Sequence, residues 1–173
     1  MSVDVKKKRN AGFSLVELMV VVAIIAVLIG VVSITYSIVG KANAKSYATT
    51  LKQAIATARS NTMGRVQNTY DLILTANADG TVDVQVGQGG QKEQVANSKI
   101  PMDIYSGGMV VPMTPGLVFT VTFSKSDGHV TSMSFGSGST FNNPGELCFQ
   151  CGPDGGKHYT VHVVKQTGKV YMD

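Results

Sequence analysis

Residues 6–32 read KKKRNAGFSLVELMVVVAIIAVLIGVV. Four basic residues, Lys6, Lys7, Lys8 and Arg9, lead to the small Gly12, then Phe13, then a long apolar run. From Leu18 to Thr35 no side chain is charged. An apolar stretch of about 18 or more residues crosses a bilayer as a helix, so one span over about residues 15–38 is expected. A single acid, Glu17, stands at its head. Each large aliphatic residue favours insertion by roughly 0.3–0.6 kcal/mol, and a mid-membrane acid opposes it by roughly 2.5–3.5 kcal/mol. About a dozen aliphatic residues follow Glu17, so the run inserts in spite of it.

Glu17 has two readings. Ser14-Leu15-Val16-Glu17 fits the S-x-x-E capping box, in which serine and glutamate satisfy orphan amides at a helix start. Equally, an ionisable group at membrane depth requires a partner. The order of features resembles the class III leader and N-terminal helix of type IV pilins and pseudopilins. The matching residues are Gly12-Phe13-Ser14-Leu15-Val16-Glu17-Leu18 and the apolar run after them, about a fifth of the chain. The resemblance implies that prepilin peptidase cuts between Gly12 and Phe13 on the cytoplasmic side, and that the new Phe13 amine is N-methylated. An ordinary secretory signal is cut after its apolar core; here the cut precedes it, and the mature chain keeps its helix. A carboxylate in low dielectric needs a cation. The Phe13 amine of a neighbouring subunit would supply one, making Glu17 an assembly residue.

The chain has 173 residues and a formal charge of +4. Removing residues 1–12 takes away four basic side chains and one acid, leaving 11 basic against 10 acidic residues. The basic face needed for general nucleic-acid binding is therefore missing, and a nucleic-acid partner is expected only in a DNA-uptake role. The basic cluster has a simpler part: positive residues beside a membrane helix stay cytoplasmic, so everything after the span faces outward.

Residues 41–63 change to Ala, Lys, Thr, Gln and Ser. Tyr47, Leu51, Ile55, Ala58 and Met63 recur at helical spacing, which predicts an amphipathic continuation with one buried stripe. Gly30 and Gly40 interrupt the helix at up to ~1 kcal/mol each relative to alanine; if the helix bends or melts on assembly, one of them is the expected place. Most of the 19 glycines follow residue 79, and the pattern becomes strand hairpins. Residues 70–75 and 81–86 flank Asn77-Ala78-Asp79-Gly80; residues 117–124 and 129–135 flank Lys125-Ser126-Asp127-Gly128; residues 159–164 and 169–172 flank Gln166-Thr167-Gly168. Alternating or β-branched residues around such turns predict hairpins. Residues 87–90, 105–115 and 136–152 read as glycine-rich connections. Six or so antiparallel strands are expected on the helix stripe.

The fold class is thus α+β and pilin-like: a leader over 1–12, a helix over 13–64 and a β-rich head over 65–173. Within the superfamily, residues 51–60 and the last hairpin, around Thr167-Gly168-Lys169-Val170, look similar to H-type minor pseudopilins.

The head holds one chemical motif, Cys148-Phe149-Gln150-Cys151-Gly152. A redox dithiol requires a thioredoxin-like βαβ context, and none is visible. A local disulfide suits an exported head, though so short a loop contributes little entropy; in an anaerobe the same pair would stay free. Half a zinc site is the third reading: Cys148 and Cys151 with His158. His158 and His162 cannot both serve, since residues four apart on a strand are separated by about 13 Å. His129 follows a turn and is read as an exposed residue. Asn77, Asp79, Thr81 and Asp83 offer oxygens at alternate positions, as a calcium loop does, but without the glycine and distal glutamate of an EF-hand. No Ser/His/Asp set, paired carboxylates or phosphate loop appears; Gly87-Gln88-Gly89-Gly90 lacks the P-loop lysine.

The expected function is structural, with no catalysis and no cofactor: a major or minor prepilin subunit of a type IV pilus-like filament. Its partners are prepilin peptidase, other pilin copies, the pilus assembly platform and the membrane. It begins as a single-pass protein of the cell membrane with a cytoplasmic N-terminus and ends in an extracellular or periplasmic filament. Alternatives are a pseudopilin of a type II secretion or competence system and, in another class, a monomeric membrane-anchored metal or redox protein using Cys148 and Cys151.

Overall fold

The computed structural model describes residues 14–64, 70–136, 145–153 and 155–173, apart from the side chains of residues 30–41. Within them lie one helix, α1 (Leu15–Gly64), and ten strands: β1 (Leu72–Ala76), β2 (Val82–Val86), β3 (Lys92–Ala96), β4 (Met102–Ser106), β5 (Met109–Pro112), β6 (Val118–Phe123), β7 (Val130–Phe135), β8 (Glu146–Cys151), β9 (Tyr159–Val164) and β10 (Lys169–Met172). The fold is α+β with purely antiparallel pairing. The chain divides into two compact units, Met1–Ile38 and Val39–Asp173.

In the first unit, α1 begins at Leu15, with Ser14 at the N-cap position and Glu17 in the first turn. The Leu18 amide donates to the Ser14 carbonyl at 3.1 Å. The expected span over 15–38 falls partly on residues 30–41, whose side chains lie outside the described ones. Among the described residues no helix is long and apolar enough to cross a membrane. The helix runs through Gly30 and Gly40 without interruption in the single chain, so neither glycine breaks it there.

In the second unit, α1 buries Ala44, Ala48, Leu51, Ile55, Ala58 and Thr62. Their steps of three and four residues keep them on one face. Leu51, Ile55 and Ala58 are the expected stripe; its two ends differ. Tyr47 is half-buried because its hydroxyl accepts from Gln94 and Asn97, each at 3.1 Å, and alanines 44 and 48 take the contact. Met63 is exposed and Thr62 buried. The Thr62 hydroxyl donates to the Ala58 carbonyl at 2.8 Å and accepts from the Tyr70 amide at 3.2 Å.

Two five-stranded sheets, ordered β3-β2-β1-β6-β7 and β10-β9-β8-β4-β5, make up the rest. All six expected strands and their three hairpins are present. Four further strands, β3, β4, β5 and β8, correct the expected number; β5 and β8 occupy stretches read as connections. Inward residues alternate along β1, β4, β6 and β8. Leu72 and Leu74 of β1, Phe119 and Phe123 of β6, Ile104 of β4, and Leu147 and Phe149 of β8 form one cluster with Leu51 and Ile55 of α1.

The β6-β7 and β9-β10 turns meet against α1. Arg59 Nε donates to the Gly128 carbonyl at 3.2 Å, and a Cβ at Gly168 would overlap that same oxygen. Gly168 also has a φ of +62°, which penalises any side chain. Gly168→Ala is expected to cost about 1–3 kcal/mol. Gly116→Ala, with a φ of +86° but open space around it, isolates the backbone share. Urea denaturation midpoints of the two variants check the difference: equal losses would show that the carbonyl contact contributes nothing.

Candidate functional site

Two regions carry the chemistry. In the first, Gly12 and Phe13 lie outside the described residues. Glu17 is exposed on the first turn of α1. Around it, apolar side chains cover every face: Leu15 is 74% exposed, Val16 66%, Leu18 61%, Met19 64%, and the pattern continues to Leu28 and Ile29. A helix apolar all round belongs in a core or a membrane, and so large an exposed apolar surface marks an interaction site.

The second region is the outward face of the β10-β9-β8-β4-β5 sheet. Strand β8 alternates Glu146, Cys148 and Gln150 outward with Leu147, Phe149 and Cys151 inward. Cys148 is half-buried and Cys151 fully buried, and both thiols are free. Three residues along a strand span about 10 Å, beyond the reach of a disulfide. The strand thus separates the pair read as a disulfide, and the same geometry keeps Cys151 out of a set with Cys148 and His158. His158 is exposed, its Nε2 lying 3.2 Å from the Pro153 carbonyl.

Antiparallel register instead brings distant residues to Cys148. Tyr171, His162, Cys148 and Tyr105 are direct cross-strand neighbours on β10, β9, β8 and β4. His162 Nδ1 lies 3.3 Å from Cys148 Sγ and 3.2 Å from Glu146 Oε1. Its Nε2 lies 3.0 Å from Asp173 Oδ1. The Asp173 backbone is fixed by two 3.1 Å bonds with Thr160, which extend the ladder to the neighbour of His162. Tyr171 stacks on the imidazole, ring centres 4.5 Å apart and planes 1° from parallel, and its hydroxyl donates to Glu146 Oε1 at 2.5 Å. That bond pushes the phenol up to about 12.

Burial, and then the Glu146 and Asp173 carboxylates, raise the Cys148 thiol. Burial pushes Cys151 up to about 12. Since the thiolate is the nucleophile, a thiol reagent at pH 8 is expected to label Cys148 slowly in the folded chain, and Cys151 only after denaturation. Peptide mapping of the labelled sites checks this; rapid double labelling would contradict the buried placement.

The remaining candidates are turn residues. His129 is partly exposed, with Nδ1 2.5 Å from Asp127 Oδ1. This contact is the main cause holding the Asp127 carboxyl well below the usual range. The side chains of Asn77, Asp79, Thr81 and Asp83 bond to one another. Asn77 Nδ2 donates to Thr81 Oγ1 and Asp83 Oδ2, each at 2.9 Å, and the Thr81 hydroxyl donates to Asp79 at 2.7 Å. Those bonds stitch the β1-β2 turn.

Sequence reasoning weighed His162 only as an alternative to His158, and it missed Glu146, Tyr171 and Asp173 as companions of Cys148. The signal present was alternation: Glu146-x-Cys148 shares one strand face.

Comparison with known proteins adds a family match. A search of curated proteins and a search of solved structures return none. Residues 7–33 match the family model described as the prokaryotic N-terminal methylation motif. The match contains Gly12, Phe13 and Glu17 in the arrangement set out above, and it ends before the head. The chain therefore carries, at its N-terminal end, the signature of type IV pilins and pseudopilins.

Proposed function

We propose that this chain is a prepilin: a structural subunit, without catalysis, of a type IV pilus-like filament. The observation that carries this reading is the methylation motif at residues 7–33, continued by a helix apolar on every face. Such a surface is stable in lipid before assembly and in a helical fibre core afterwards. Prepilin peptidase removes residues 1–12 on the cytoplasmic side, and Phe13 becomes the methylated N-terminus. The helix anchors the subunit in the cell membrane until an assembly platform moves it into a fibre with other pilins. The β head then lies in the periplasm or outside the cell. A type II secretion piston or a competence pilus would use the same steps.

Processing tests the proposal. The chain is expressed with a prepilin peptidase, and the membrane fraction is analysed by intact mass and N-terminal sequencing. The expected product begins at methylated Phe13, and Gly12→Val retains residues 1–12. A wild-type chain that keeps its leader is instead a monomeric membrane-anchored protein, and the filament reading falls.

A further inference from the structure

Either neutral form of His162 leaves one ring nitrogen as a bare lone pair. One nitrogen faces Asp173 at 3.0 Å and the other faces Glu146 at 3.2 Å. With Nε2–H donated to Asp173, the Nδ1 lone pair points at the Glu146 oxygen, an acceptor against an acceptor, with the Cys148 sulfur 3.3 Å away. With Nδ1–H donated to Glu146, the same conflict moves to Asp173. The Cys148 S–H donating to Nδ1, a second ring proton or a metal ion at Nδ1 would each relieve the conflict. The Nδ1 end is the one where three metal-ligating atoms converge, all within 4.8 Å of one another.

We propose that Glu146, Cys148 and His162 bind a divalent transition metal, Zn²⁺ in particular, on the outward face of the head. One sulfur, one imidazole nitrogen and one carboxylate oxygen form a borderline-soft set that suits Zn²⁺ and disfavours Ca²⁺ and Mg²⁺. Ligands at about 2.0–2.3 Å in a tetrahedron stand roughly 3.5 Å apart. The Nδ1–Oε1 and Nδ1–Sγ separations, 3.2 and 3.3 Å, already match that spacing. A metal-bound histidine ordinarily donates its other N–H to a carboxylate, and Asp173 is in that position. Tyr171 holds both the imidazole plane and the Glu146 oxygen.

The site is reachable from solvent: the His162 side chain is 17% exposed and that of Glu146 40%. A hollow of about 240 Å³ beside Glu146 and Cys148, lined also by Tyr105 and Met109, leaves room for a fourth ligand such as water. Binding replaces the Cys148 S–H bond by a sulfur–metal bond and releases that proton to solvent. The dication then offsets the two carboxylates that otherwise oppose a thiolate there. The proposal is independent of the filament reading, because the site lies wholly in the head.

The test uses the full chain in detergent under reducing conditions. Zn²⁺ is titrated against a chromophoric chelator, and Co²⁺ is followed by its thiolate charge-transfer band. The wild type is expected to take up one equivalent of each and to show the band. Cys148→Ser removes the band and weakens Zn²⁺ binding at least tenfold. Asp173→Asn keeps the band while weakening binding roughly 10–100-fold. Cys151→Ala, or Cys151→Val should alanine unfold the core, leaves both unchanged. A wild type that is folded by circular dichroism yet takes up no stoichiometric metal overturns the proposal; so does a band that survives Cys148→Ser.

Discussion

Phe119→Ala is expected to destabilise the second unit by about 3–5 kcal/mol, a large share of the 5–15 kcal/mol typical of a folded domain. Phe119 is fully buried on β6. Its ring lies 4.8 Å from that of Phe135 on β7, in the same sheet, and 6.1 Å from that of Phe149 on β8, in the other. The second contact is edge-to-face at 66°, the geometry favoured by aromatic quadrupoles. Alanine removes the bulk that joins the two inner faces, and a β-sheet core cannot close around the void. Phe119→Leu retains most of the volume and should lose markedly less. The ring pair itself is measured by a double-mutant cycle with Phe149→Leu, where a coupling of about 0.5–1.5 kcal/mol is expected. Denaturant titration of the reduced chain reads all of these. A loss below 1 kcal/mol for Phe119→Ala would mean that the sheets are not packed through this residue.

Phe119 also marks what was legible in the sequence. Residues 117–124 alternate apolar and polar side chains before an Asp-Gly turn, and this local signal yields β6, β7 and their pairing. The same holds for β1-β2 and β9-β10. Of the four missed strands, β3 and β5 lack it. β3 is KEQVA, polar and exposed for three residues because it is a sheet edge. β5 is MVVP, an edge strand with Met109 and Val110 exposed. β8 stands just after a run of Gly, Ser and Asn, and its Cys-x-x-Cys spelling suggests a loop motif. Only pairing with β4 and β9, from residues 40 or more positions before and about 14 after, defines it as a central strand. Once β8 is a strand, period two decides its chemistry. Cys151 joins Phe149 in the core, and Cys148 joins Glu146 outside. The partner of Cys148 is set by cross-strand register, a property of tertiary structure that spacing within one segment does not contain. At the N-terminal end the reverse holds: the order of basic cluster, Gly12-Phe13, Glu17 and apolar run is entirely local, so the motif was readable without a fold.

Glu17→Gln is expected to separate the two roles of the acid at the start of α1. Glutamine preserves the capping box, since S-x-x-Q serves as well as S-x-x-E. It loses only the macrodipole contribution of a first-turn anion, about 0.3–1 kcal/mol. It also eases insertion, because the charge that costs most in hydrocarbon is gone. A Glu17 that serves only as a cap therefore predicts processing and filament yield close to wild type. Under the proposed function, the carboxylate pairs with the Phe13 amine of the next subunit in a low-dielectric fibre core. There, leaving one charge unpaired costs about 3–5 kcal/mol, which at one contact per added subunit corresponds to a fall of more than a hundredfold in the elongation equilibrium. Glu17→Gln should accordingly be cleaved after Gly12 at the wild-type rate, remain in the membrane, and give at most a tenth of the wild-type sheared filament mass. Glu17→Val should behave alike, while Glu17→Asp, which keeps the charge on a shorter stem, should recover part of the yield. Normal fibres from Glu17→Gln would assign the acid to the helix cap alone, and subunit register would then have to come from the packing of Leu15, Leu18, Met19 and their neighbours.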